Sequence, residues 1–138
     1  MTTNCCIYSS WLFSINAAVA FGMEEYVYGG LFTCLLTSSL LFHSHSTIYT
    51  NIIDKCCIAA VVLYGGYLLY LKCREVKYTI QILILVGSIL TFLSTIYLFC
   101  VGYLLRLFCF CEDSERANQW HSYLHLLSSI GHCLILLI

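Results

Sequence analysis

The chain has 138 residues, of which 61% are hydrophobic and only 9% charged, with six Lys or Arg, seven Asp or Glu and no proline. A soluble domain carries roughly 25% charged residues, so this composition excludes an ordinary water-soluble globule and points to a membrane protein. The net charge of −1 favours neither nucleic-acid binding nor electrostatic attachment to a membrane surface.

Charged residues fall in clusters that divide the chain. Glu24 and Glu25 form the first, Asp54 and Lys55 the second, Lys72 to Lys77 the third and Glu112 to Arg116 the last. A membrane-crossing helix needs about 20 apolar residues. The uncharged stretches between the clusters predict an all-α polytopic bundle of about five spans in a single domain: 5–23, 27–49, 53–72, 77–108 and 117–138. No Lys or Arg precedes the first apolar stretch, so that stretch reads as a retained helix rather than a signal peptide. The second and third spans are separated by a short turn expected around Tyr49–Asn51.

Residues 78–111 are nearly continuous apolar sequence. One helix of that length would extend about 50 Å against a hydrocarbon core of about 30 Å, yet a hairpin needs a turn. Only Gly87 and Gly102 interrupt the interior. Parity separates the two. His43 lies late in span two, Asp54 early in span three, and His121 and His125 early in the last span. They meet at one membrane face only if a single helix separates span three from the last, so one long, tilted fourth helix is expected.

The loop holding Lys72, Arg74 and Lys77 is the most basic, and the positive-inside rule assigns it to the cytoplasm. The N-terminus and the polar residues just named then share the luminal or exterior face, with the C-terminus cytoplasmic. For a eukaryotic or viral chain, the endoplasmic reticulum, Golgi or another endomembrane follows. The ten cysteines fall within apolar segments or near their ends, where they read as packing residues or lipidation sites; Cys109 and Cys111 have no second pair to form a zinc knuckle.

Polar groups inside hydrocarbon are costly and therefore informative. Ser39 and His43 form one i,i+4 pair, and His121 and His125 another, so each pair occupies one helix face. Ser128 and His132 continue the stripe of His121 and His125. His45 points about 200° away from His43 and reads as peripheral. Asp54, alone, reads equally as a helix-start charge or a partner of Lys55. Three neutral imidazoles leave a tetrahedral zinc ion with an open position, the layout of a catalytic site, and zinc brings the pKa of bound water to near 7. His43, His121 and His125 are the candidate ligands, with Asp54 as proton acceptor or orienter and Ser39 as hydrogen-bonding partner of a ligand, the water or an oxyanion.

At these residues the chain resembles the CREST superfamily of membrane hydrolases, which includes alkaline ceramidases, progestin/adiponectin-type receptors and lipid-remodelling proteins of the GPI-anchor pathway. Ser39 and His43 match its Ser and His four residues apart on the second helix, Asp54 its third-helix Asp, and His121 and His125 its final H-x-x-x-H. The eleven-residue step from His43 to Asp54 is most similar to the alkaline-ceramidase branch, and Trp120 beside His121 to its last-helix motif. The resemblance implies a zinc-dependent hydrolase acting on an amide or ester bond of a membrane lipid, a sphingolipid or other acyl lipid. Family members usually have seven spans; absence of two middle helices would preserve the parity. The competing classes are a b-type haem protein, pairing His43 with His125 or His132, and a non-enzymatic membrane protein whose polar groups only join helices.

Overall fold

The computed structural model describes residues 5–138. It is an all-α bundle, with no strand among the described residues. Helices α1 (Cys5–Ser10) and α2 (Leu12–Gly22) follow one another across the single turn residue Trp11, whose backbone stays right-handed. They are followed by α3 (Tyr26–Ser44), α4 (Ile48–Cys73) and α5 (Thr79–Leu105). A short 3-10 turn (Phe108–Phe110) leads to α6 (Ser114–Leu137).

Four segments are long and apolar enough to cross a membrane: Cys5–Gly22, Tyr26–Ser44, Ile48–Cys73 and Thr79–Phe110. The expected fifth, α6, has 24 residues and thus the length, but histidines, serines and Gln119 dilute its apolar content. The polar groups of its second half point inward, while Gln119 stays exposed. His125, Ser129 and His132 are buried, and α6 packs against α1, α2, α4 and α5 as the hub of the bundle.

The turn between α3 and α4 lies earlier than the expected Tyr49–Asn51. Helix α3 ends at Ser44 and α4 begins at Ile48. Thr47 is responsible: its Oγ1 accepts the Thr50 amide at 3.1 Å, while Thr50 Oγ1 accepts the Thr47 amide at 2.9 Å. Such a reciprocal box satisfies two amides that a helix start leaves unpaired. Asp54 therefore sits in the second turn of α4, beyond the first turn where the helix dipole acts, and the helix-start reading falls away.

Residues 78–111 contain one helix, not a hairpin, ending at Leu105 rather than at 108. Arg106 adopts a left-handed backbone (φ 56°, ψ 42°), and the amide of Leu107 returns to the carbonyl of Gly102 at 2.9 Å. The remaining apolar residues fold back instead of extending the helix. Phe108 lands on the Trp120 ring of α6, centroids 4.8 Å apart.

With a single helix between α4 and α6, the ends sort as parity requires. Cys6 Sγ reaches the Asn118 carbonyl at 3.4 Å, joining the beginnings of α1 and α6. At the other end, Gln81 Nε2 donates to the Ile138 carbonyl at 2.7 Å. The core between them is aromatic and aliphatic, built from Phe13, Tyr28, Phe32, Leu35, Val61 and Ile135. No disulfide links the cysteines of the described residues.

Candidate metal centre

His43 occupies the last turn of α3, and His121 and His125 lie one turn apart on α6. The three rings converge. Centroids of His43 and His121 are 5.1 Å apart, those of His43 and His125 5.6 Å, and those of His121 and His125 4.7 Å. One donor nitrogen from each ring lies within 4.8 Å of the other two. Tetrahedral zinc, with Zn–N of about 2.0–2.1 Å, holds its nitrogens about 3.3 Å apart, so a shared ion would draw the three rings closer together.

His43 Nε2 supplies a second observation. It is buried, and no hydrogen-bond partner reaches it among the described residues. Buried polar atoms are nearly always paired, because an unmet one costs about 1–3 kcal/mol. A cation at the centre of the cluster would satisfy it. The donor set, three imidazoles with an open fourth direction, fits zinc.

The hydroxyl protons around the cluster can be assigned one by one. Ser9 Oγ lies 3.1 Å from the Cys6 carbonyl and 2.9 Å from His125 Nδ1; with its one proton on the carbonyl, it accepts from the imidazole. His125 is thereby the Nδ1–H tautomer, with the Nε2 lone pair left for a metal. Ser10 Oγ likewise donates to the Cys6 carbonyl, at 2.7 Å, and accepts from Ser39 Oγ at 2.8 Å. Ser39 therefore directs its proton away from the cavity and presents lone pairs to it. That arrangement suits orienting a water better than donating to an oxyanion.

Asp54 is 3% exposed, although it is the carboxylate of an apolar helix. Its Oδ1 accepts from Ser38 at 3.4 Å, and its Oδ2 faces the Lys55 ammonium at 3.4 Å. The sequence reading that paired Asp54 with Lys55 thus describes part of its environment. Ser39, Asp54, Lys55, His121 and His125 all line one cavity of about 170 Å³, whose other walls are mainly apolar.

The remaining histidines separate. His45 is an exposed residue at the end of α3. His132 lines the deep part of the same cavity but bonds Tyr28 instead of joining the cluster. Trp120 packs on Phe108. Sequence reasoning passed over Ser9, Ser10, Ser38 and Tyr28. Serine doublets at 9–10 and 38–39, in segments otherwise apolar, were the available signal; Tyr28 carried none, since tyrosine is ordinary at membrane interfaces.

The chain matches no protein-family model, no curated protein and no solved structure. Fold and site alone define its class: an all-α bundle of membrane-crossing type with a three-histidine cluster at one end.

Proposed function

We propose that this chain is a zinc-dependent intramembrane hydrolase that cleaves an amide or ester bond of a membrane lipid, in the manner of the CREST superfamily and its alkaline ceramidases. The observation that carries the reading is the convergence of His43, His121 and His125 on one centre, with His43 Nε2 buried and unpaired. If these histidines only joined helices, each buried nitrogen would have a partner within the bundle. A haem is served less well: the cavity of about 170 Å³ beside these histidines is smaller than a porphyrin macrocycle.

In this reading His43, His121 and His125 bind the ion, and Ser9 holds His125 in the ligating tautomer. Zinc held there supplies Lewis acidity and lowers the pKa of coordinated water to near 7. Ser39 accepts a hydrogen bond from water in the cavity. Asp54 takes the water's proton as its oxygen adds to the lipid carbonyl carbon. That proton then passes to the departing amine or alcohol as the C–N or C–O bond breaks, leaving a carboxylic acid and the second product. Lys55 balances the Asp54 charge, and the apolar walls accommodate an acyl chain. The membrane placement carries the Lys72–Lys77 loop to the cytoplasm and the metal centre to the opposite face, shared with the N-terminus.

Elemental analysis of detergent-purified protein tests the metal. About one zinc per chain is expected in the wild type and none in His121→Ala; a wild type without zinc overturns the reading. A lipid extract incubated with wild type and with Asp54→Ala then reports the chemistry, as release of fatty acid by the wild type alone.

A further inference from the structure

The cavity has a second polar station that the hydrolytic chemistry leaves unused. His132 is 1% exposed and Tyr28 fully buried, and the two are hydrogen-bonded through the Tyr28 hydroxyl and His132 Nδ1. Rings of Phe32 and Phe92 stand edge-on to the imidazole, with centroids 5.3 and 4.8 Å away. The backbone makes room for the pair. A Cβ on Gly65 would lie 2.5 Å from the Tyr28 hydroxyl and 3.0 Å from the imidazole.

Proton bookkeeping gives this station a polarity. Tyr28 has no other acceptor among the described residues, so its hydroxyl donates to His132 Nδ1. The neutral imidazole then carries its proton on Nε2. That N–H has no protein partner among the described residues, and His132 lines the cavity. A donor inside an apolar cavity, left unmet by the protein, calls for an acceptor from the ligand.

Position defines the ligand further. His132 follows His125 by seven residues, which returns it to the same helix face about 10 Å deeper. We propose that the cavity selects acyl lipids oxygenated in mid-chain, with a hydroxyl or keto oxygen accepting from His132 Nε2 about 10 Å from the bond at the metal centre. The inference rests on the reading of this cavity as the acyl site of a lipid hydrolase. It adds a specificity determinant, His132, positioned by Tyr28.

Equilibrium binding to detergent-solubilised protein tests it without turnover. The probes are stearic acid and a positional series of hydroxystearic acids, competing with a fluorescent fatty acid. Wild type should prefer a mid-chain hydroxy acid over stearic acid about tenfold, the worth of one neutral hydrogen bond. Hydroxyls near either end should confer no preference. His132→Phe should abolish the preference while still binding stearic acid, which also reports an intact fold. His132→Gln, whose amide can donate, should retain part of it. Equal affinity for all acids in wild type, as a water resident on His132 would give, overturns the proposal, and so does a preference that survives in His132→Phe. Selective binding without hydrolysis of any lipid would sustain this inference and remove the hydrolase reading. Equal hydrolysis of plain and oxygenated acyl lipids, with equal binding, would do the reverse.

Discussion

A serine has one hydroxyl proton, and around this histidine cluster that constraint narrows roles that distance alone leaves open. With its proton on the Cys6 carbonyl, Ser9 receives the Nδ1–H of His125 and leaves Nε2 unprotonated. Loss of such an outer partner typically lowers metal affinity 10–100-fold. Ser9→Ala should therefore weaken zinc binding by about that factor in a chelator competition, with helicity by circular dichroism unchanged. A second residue-level consequence concerns Gly65, where a methyl group would collide with the Tyr28 hydroxyl. Both Tyr28 and His132 are enclosed and cannot move aside, so Gly65→Ala should destabilise by about 1–3 kcal/mol, the usual cost of overpacking, read from thermal unfolding in detergent. The clustered histidines, Ser39 and Asp54 were legible in the sequence because each is expensive in hydrocarbon and periodically placed. Ser9, Ser10 and Ser38 were not. Their significance lies in partners on other helices, at sequence separations that no local pattern encodes.

At the level of helices, charge clusters marked the breaks well but not their exact positions. The α3–α4 turn was expected at Tyr49–Asn51, whereas the Thr47–Thr50 capping box starts α4 earlier. That box is exposed and should act locally. Thr47→Ala should cost about 1 kcal/mol in thermal unfolding, as the loss of an N-cap does, without altering metal content. In α5 the apolar run gave no end signal, since Leu and Phe fit a helix and a packed loop alike. The left-handed Arg106 and the seat for Phe108 on Trp120 end it, and the latter is a contact with α6. The one-helix expectation for 78–111 came instead from asking where His43, Asp54 and His121 must meet. The helix ends obey that requirement.

For the molecule as a whole, the cluster is a second direct meeting of α3 and α6, which also touch where Tyr28 and Phe32 meet His132. Both α3 and α6 pack on α1, α2 and α4. A shared ion would clamp His43 of α3 to His121 and His125 of α6 directly. An ion that binds the folded arrangement and not the separated helices would add about 2.7 kcal/mol at about 100 times Kd. Removing zinc with a chelator should lower the Tm of wild type, and returning it should restore the Tm. His121→Ala should unfold at the same temperature with or without chelator.

Composition and charge spacing alone sufficed for an all-α membrane bundle, since hydrocarbon tolerates few polar groups and leaves those it keeps conspicuous. They also sufficed to select three of five histidines, because helical periodicity and parity are properties of the chain. Tertiary structure decided what periodicity cannot express: that His43 Nε2 is buried without a partner, that Ser39 turns its proton away from the cavity, and that His132 is held apart by Tyr28. Each of these depends on which atom of a neighbouring helix lies within hydrogen-bond reach. Packing sets that, and it varies over distances smaller than one helical turn.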